Sequence, residues 1–299
     1  MDKRSKAYLA LLTTCIIWGF APPIIKYSLG FVTPIEFLTL RFLIVSVLIL
    51  PVFLSKYKKQ PFKLKDLGLL ILIALCGTTF TLGLLFWGLS KTSAIDSAVI
   101  AATCPLMIVI SGVVFLKEIV TKQEKVGLGL AFLGTLIAVA SPLVNGNKMF
   151  HSANISGNFL IFVSNITWTV YSILSKKLTK KYSSFNITAF SFFVGFLTFS
   201  PLFYLTSNLT LTTLFSNPGF PGILYMSILG SIIGYFTYTY GFSLIEASEA
   251  TLFSYLQPIF SVPLAVLWLK EKVTLPFLLG SLFIALGVFL TERKGKRII

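Results

Sequence analysis

Ten apolar runs, each long enough to cross a bilayer, constrain this chain more than any other feature. They lie at about 7–29, 34–54, 67–89, 95–116, 124–144, 155–175, 185–205, 220–245, 249–269 and 275–291. A spanning helix needs about 17–25 predominantly apolar residues, because each residue rises 1.5 Å through a hydrocarbon core of about 30 Å. The loops between the runs reach little more than a dozen residues, at 55–66 and 206–219, so no soluble domain fits between them. Composition agrees. Of the 299 residues 56% are hydrophobic and 12% are charged, and mean hydropathy is +0.88. Soluble domains carry about 25% charged residues, so this chain lacks the charge to coat a water-facing globule. That excludes a soluble enzyme, a secreted disulfide scaffold and a disordered protein. The basic segment MDKRSK resembles the start of a signal peptide, but the apolar core behind it is too long and no small-residue cleavage site follows. The expectation is an uncleaved first helix.

The net charge of +15 is not a nucleic-acid signature, since no stretch is expected to interleave basic and aromatic residues on a solvated surface. Instead the charge sorts by loop. With the N-terminus inside, inner segments hold 19 Lys and Arg, and outer segments hold five: Lys26, Lys91, Lys148, Lys270 and Lys272. Basic residues concentrate on the cytoplasmic side of membrane proteins, so both termini are expected in the cytoplasm and the chain in the cell membrane. Cys15, Cys76 and Cys104 sit in apolar runs, and His151 in a polar loop. Neither disulfides nor a metal site follows from that pattern. No cofactor is expected.

The chain also repeats itself. An offset of 150 aligns Trp18 with Trp168, Lys26 with Lys176 and Pro51 with Pro201. An offset of 153 aligns Gly88 with Gly241, Pro105 with Pro258, Lys117-Glu118 with Lys270-Glu271, Gly127 with Gly280 and Gly134 with Gly287. Two copies of a five-helix unit follow, with the boundary expected between 1–146 and 147–299. Because five is odd, the copies cross in opposite senses. The expected fold is an all-α integral membrane protein of ten transmembrane helices built from two inverted five-helix repeats. Secondary transporters use that device, since two similar halves of opposite orientation can exchange conformations around a shared site.

The residues that carry a resemblance are WGFAPPIIKYSL, then Arg41 in FLTLRF, the run from Pro105 through FLKE to Gly127 and Gly134, and LQPIFSVPLAVLWLKE before Gly280 and Gly287. Together, in duplicate, they resemble the EamA-like branch of the drug/metabolite transporter superfamily over nearly the whole chain. The resemblance implies a central cavity lined by helices 1–4 and 6–9, peripheral helices 5 and 10, and export or exchange of small metabolites, often amino acids. Small multidrug-resistance relatives carry an acidic residue in mid-helix 1. This chain has none there, which argues against proton-coupled export of organic cations.

Candidate site residues follow from the cost of polar groups in lipid. Intramembrane charges are functional candidates by default. Lys26 either snorkels to the interface or meets an anionic substrate group, and Glu36 stands close enough to pair with it. Arg41 either bonds backbone carbonyls or contacts substrate. Asp96 and Glu249 read as caps of helices 4 and 9. Glu118 and Glu271 read as partners of a lysine or caps of the next helix. Pro22 and Pro23 also lie inside a span. The matched Pro105 and Pro258 interrupt helices 4 and 9, and such breaks in both halves point to a transporter site. Thr103 precedes one break; Ser254, Tyr255 and Gln257 precede the other. Trp18 and Trp168 lie mid-span, where an indole N–H needs a partner. Tyr235 and Tyr238 share a face of helix 8, and Trp87 ends helix 3. Sites for small solutes are lined by aromatics with a few polar groups. The substrate-binding set is therefore Trp18, Lys26, Arg41, Trp87, Thr103, Trp168, Tyr235, Tyr238, Tyr255 and Gln257. The glycines at 127, 134, 280 and 287 let helices approach closely, either helix 5 on helix 10 or as a dimer face.

No P-loop, HExxH or GxSxG motif and no paired intramembrane carboxylate is present, so ATP-driven transport and intramembrane hydrolysis are not expected. The reading is a secondary active or facilitative transporter exporting amino acids or related metabolites by alternating access, not an enzyme. The alternatives are an importer or exchanger of nucleotide-like or sugar-like metabolites, or a non-transporting scaffold. The partners expected are a small-molecule substrate and the lipid bilayer, with no nucleic acid, in a monomer or homodimer.

Overall fold

A computed structural model describes residues 2–91, 100, 103–139, 155–207, 214–269 and 275–292. These residues form ten helical rods: α1 (Lys3–Ser28), α2 (Pro34–Lys59), α3 (Leu64–Lys91), α4 (Cys104–Leu116), α5 (Lys122–Val139), α6 (Ile155–Leu178), α7 (Ser184–Thr206), α8 (Phe220–Leu244), α9 in two segments (Ala247–Tyr255 and Gln257–Leu269), and α10 (Leu275–Glu292). The boundary expected at 146/147, together with Asp96, His151 and Glu271, lies outside the described residues. Side-chain caps start several rods. Asp2 accepts from the Ser5 N–H at 2.8 Å. Thr33 and Glu36 form a capping box before Pro34, and Ser183 caps α7. Each satisfies amide N–H groups that no helical turn can reach.

Six rods, α1, α2, α3, α6, α7 and α8, are long and apolar enough to cross a membrane. Their outer faces are greasy: Val47 is 62% exposed and Leu197 65%. Where no water competes, backbone groups must bond within the rod or to covered neighbours. Among the described residues of the rods, the main departures from the α-helix occur in matched pairs. Both α3 and α8 carry a π-helical stretch, Leu75–Phe80 and Met226–Ile233; the repeat offset of 153 carries the first onto 228–233. The break in α9 falls at Leu256, whose N–H bonds Phe253 O at 3.1 Å. Its mate in the first half is Thr103, whose N–H bonds Ile100 O at 3.0 Å. Pro105 and Pro258 each stand two residues beyond the break, at the start of a new helix, where a missing N–H is harmless. The single spans expected over 95–116 and 249–269 are therefore interrupted at equivalent places.

Packing obeys the same twofold relation. α1 packs on α8 as α6 packs on α3, α4 meets α6 as the second segment of α9 meets α1, and α2 pairs with α7. α5 and α10 pack along each other and reach the bundle mainly through the first segment of α9. A Cβ on Gly134 would lie 2.5 Å from Gly280 O, and one on Gly287 would lie 2.5 Å from Gly127 O. Backbone therefore rests on backbone, which only glycine permits.

At the end of the bundle where α1 begins, ion pairs tie the rods together. Lys176 Nζ, at the end of α6, lies 2.6 Å from Glu118 Oε1 and 2.5 Å from Ile245 O. Glu118 Oε2 accepts the Ala247 N–H at 2.7 Å. One carboxylate thus holds a lysine and caps the start of α9, rather than the next helix, whose start is capped by Thr121 and Glu124. Arg4 and Tyr8 of α1 donate to Glu249 Oε1 at 2.6 and 2.5 Å. Glu249 occupies the first turn of α9, and the N-cap position itself belongs to Glu246. Lys181 and Tyr182 both bond Asp66; that carboxylate holds the Lys181 ammonium above the usual lysine range. The Lys26–Glu36 pair does not form. Glu36 bonds the Thr33 N–H and Ser207 Oγ instead, and Lys26 is exposed at the far end of α1.

Two tests follow. Gly134→Val overpacks the α5–α10 contact and lowers stability by about 1–3 kcal/mol. Gly129→Ala, with nothing within 4 Å of the added carbon, leaves the melting temperature of the purified protein unchanged. Lys176→Gln leaves Glu118 with only the Ala247 N–H, and the loss of this half-buried pair lowers stability by less than the ~3–5 kcal/mol of a fully buried one. The double variant Lys176→Gln/Glu118→Gln recovers part of that loss in the same thermal-unfolding measurement.

Candidate functional site

The matched helices bring four of the sequence-selected aromatics into one cluster at mid-bundle. Trp18 on α1 and Trp168 on α6 meet edge-to-face with ring centroids 5.4 Å apart. Tyr235 on α8 stands 5.4 Å from Trp18 and 5.5 Å from Trp168. Tyr238 stands 5.3 and 5.1 Å from the same two rings. The polar atoms of Trp18, Tyr235 and Tyr238 are spent on protein. Trp18 Nε1–H donates to Gly230 O at 3.0 Å, and Tyr235 O–H donates to Gly77 O at 2.9 Å. Both acceptors belong to the π-helical stretches, where the i→i−4 bonding pattern is interrupted. Tyr238 Oη shares a 2.8 Å hydrogen bond with Ser172 Oγ.

The cluster is nearly closed. Beside it lies a cavity of about 10 Å3 bounded by Thr14, Cys15, Trp18, Tyr238, Ser254 and Gln257, among others. That is room for about one water. Gln257, the first residue after the break in α9, thus sits with the indole and phenol that the sequence placed with it. Thr103 stands at the other break. Its hydroxyl donates to Ile100 O at 2.6 Å, and Asn165 Nδ2 of α6 donates to Ile100 O at 2.8 Å.

Arg41 borders the cluster through Tyr235. It is 1% exposed. Its Nε donates to Ser231 Oγ at 2.7 Å, a side-chain hydroxyl rather than the backbone carbonyl that the sequence left open. Its guanidinium carbon lies 6.0 Å from the Tyr235 ring centroid. Three selected residues stand apart. Lys26 is exposed at the end of α1. Trp87 makes no ring contact among the described residues and packs at the edge of the main core. Tyr255 faces a separate small core with Val109, Leu128, Ala131 and Ile284, on the side of α5 and α10, and its hydroxyl is buried without a partner.

Sequence reasoning missed Tyr171, Thr14 and Asn165. Tyr171 is fully buried, with its ring 5.0 Å from Trp168 and its hydroxyl 3.1 Å from Thr239 Oγ1. Its signal was available, since it lies three residues beyond Trp168 on the same helical face. Thr14 Oγ1 reaches Gly234 O and Thr237 Oγ1. A threonine four residues before Trp18 carries no comparable signal. Asn165 clamps an irregular backbone that only the folded chain shows.

A family model described as the EamA-like transporter family matches residues 5–140 and 155–293. An uncharacterized transporter of Archaeoglobus fulgidus is 28% identical over 292 residues, spanning 97% of this chain and 99% of its own length. The uncharacterized transporter YyaM of Bacillus subtilis is 25% identical over 292 residues, spanning 96% of this chain and 93% of its own. A solved crystal structure superposes with a TM-score of 0.78 over 96% of each chain at 17% identity, a likeness of fold. With both halves matched by the family model and the inverted repeat present in the packing, this multi-pass membrane protein belongs to the EamA-like transporter family of the drug/metabolite transporter superfamily and is a transporter, not an enzyme.

Proposed function

We propose that the chain exports amino acids or related small metabolites across the cell membrane by alternating access, with its termini in the cytoplasm. The observation that carries this reading is the aromatic cluster. It is built from the repeat-matched Trp18 and Trp168, and it lies beside two helices that break at equivalent positions. Discontinuous helices at a repeat interface are where secondary transporters hold their substrates. Indole and phenol faces suit the apolar body of a small solute, and Gln257, which both donates and accepts, suits its polar groups. The orientation rests on basic residues: the ends of α2, α4 and α6, with the loops beside them, carry most of the lysines at the end where α1 begins.

The cluster belongs to the closed arrangement seen here, so its residues act at two stages. The rings part to admit the solute, then stack on it. Replacing an indole removes contact area that the solute would otherwise fill. The reading is tested in proteoliposomes with labelled amino acids. Saturable flux is expected from the wild-type protein. Trp168→Ala and Gln257→Ala each reduce flux by about tenfold or more, on the scale of one lost stacking or hydrogen-bond anchor, while their elution and melting behaviour stay native. Undiminished flux in both variants would remove the aromatic cluster as the transport site.

A further inference from the structure

Arg41 is a buried cation that no acidic side chain among the described residues balances. It is 1% exposed, and none of the ion pairs among the described residues includes it. Ser231 takes its Nε, while its Nη1 is buried with no hydrogen-bond partner. A guanidinium stays protonated in any protein environment, so the charge persists in a region where desolvation is severe. The Phe42 and Tyr235 rings, at 5.7 and 6.0 Å, supply weak cation–π contacts.

The repeat shows that helix packing does not demand this charge. The offset of 150 carries Arg41 onto Ser191, and the offset of 153 carries Thr78 onto Ser231. The two pairs stand at matched places but bond differently, through side chains in the first and through a backbone carbonyl in the second. Arg41 Nε donates to Ser231 Oγ at 2.7 Å in one half, and Thr78 Oγ1 donates to Ser191 O at 3.1 Å in the other. Both contacts join a helix to a matched π-helical stretch. Ser191 is fully buried at the matched place without any charge, and its hydroxyl bonds Ile187 O of its own helix. The arginine therefore adds something beyond packing to the first half: a fixed positive charge and an unfilled donor edge beside Tyr235 of the aromatic cluster.

We propose that Arg41 is the anion-recognition residue of the transport site: its free Nη1 edge takes a substrate carboxylate, with the substrate body on the neighbouring rings, so the cargo is a carboxylate-bearing solute. This rests on the transport reading above and narrows its substrate class. It also separates the two cations that the sequence left as alternatives. Lys26 is exposed at a helix end, with water as its solvent, whereas Arg41 is desolvated beside the cluster. The planar guanidinium fork fits a carboxylate through parallel N–H···O bonds. A carboxylate there would supply the missing acceptor and balance the charge in one contact. A neutral amide of the same shape would supply the acceptor alone.

The test uses the full-length purified protein with Trp87 and Trp268 replaced by Phe, so that its tryptophan fluorescence reports on Trp18 and Trp168. Probes are matched pairs that differ only at the carboxylate: phenylalanine and phenylalaninamide, glutamate and glutamine, succinate and succinamide. The acids are expected to bind about tenfold or more tightly than the amides, the scale of a charge-assisted bond against a neutral one. Arg41→Gln is expected to bring each pair within about twofold of each other, and Arg41→Lys to retain part of the preference by keeping the charge without the fork. If Arg41→Gln does not fold, Ser231→Ala serves. It releases the Nε anchor and weakens the acids severalfold while leaving the amides unchanged. Equal binding of acids and amides by the protein with Arg41 intact overturns the proposal. So does a preference that survives Arg41→Gln or is unmoved by Ser231→Ala, and so does failure of every acid to bind at millimolar concentration. Acid-selective binding without amino-acid flux would sink the export reading and leave the anion site standing. Flux with no acid preference would do the reverse.

Discussion

Backbone hydrogen bonding in a medium without water governs every unusual feature of this protein. In the hydrocarbon, an amide or carbonyl left open costs several kcal/mol, so a chain that crosses it ten times must be helical nearly everywhere it crosses. Irregular backbone survives only where other groups cover it. Gly77 and Gly230, inside the two π-helical stretches, offer carbonyls that Tyr235 and Trp18 fill from neighbouring helices. Ile100 O, at the break before α4, is filled by Thr103 and Asn165. The polar ends of the aromatic cluster therefore have a structural duty. They repair the openings that make the interior of the bundle irregular, and they do so with large rings that also provide apolar contact area.

Inverted symmetry then explains where those irregularities sit. Among the described residues the main helix contacts of one half recur in the other, from α1 on α8 and α6 on α3 to the two glycine contacts between α5 and α10. Symmetry makes the departures informative, because the fold has supplied its own control. Asn165 bridges the break before α4, while its mate by the 150 offset is Cys15, which lines the small cavity near the break in α9. Arg41 faces Ser231 where Ser191 faces Thr78. At each of these positions the packing is held in common and the chemistry differs, which separates what the fold requires from what this particular chain adds.

Much of the fold is legible in the sequence because membrane insertion writes it there. Apolar length sets the number of rods, Lys and Arg sort the loops, and matched Trp, Pro and Gly-containing runs reveal the repeat. The clustering of Trp18, Trp168, Tyr235 and Tyr238 is legible for the same reason, since an indole at mid-span must find a polar partner inside the protein. The rest depends on geometry that spacing does not encode. A π-helical turn has no composition signal; LCGTTF and MSILGSII read as ordinary helix. Tyr255 is adjacent to the break in α9, but the helix rotates it toward Leu128 and Ile284. Glu36 lies near Lys26 in the chain, yet the capping box and Ser207 claim its carboxylate. Proximity along a helix fixes a face, whereas the partner on that face is decided by the neighbouring rod.

The closed cluster and the paired end of the bundle are two parts of one arrangement. A cavity of about 10 Å3 admits no solute larger than a water, so the rings must separate before anything binds among them. Rods that hold each other backbone to backbone, as α5 and α10 do, cannot slide without steric clash. Segments that end at a break can rotate while keeping their internal hydrogen bonds. The two segments of α9 meet at Leu256, with Gln257 and the cavity at the joint. The first segment is fastened by Arg4, Tyr8 and Glu118 at its start. The second packs against α1, where a Cβ on Gly19 would meet Gln257 O at 2.9 Å. Movement at that joint would part Gln257 from Trp18 while leaving the α5–α10 contact intact. In the proposed alternating-access cycle, the ion pairs at the start of α9 would set how firmly this end of the bundle stays shut, and the glycine-packed pair would give the turning segments a fixed wall.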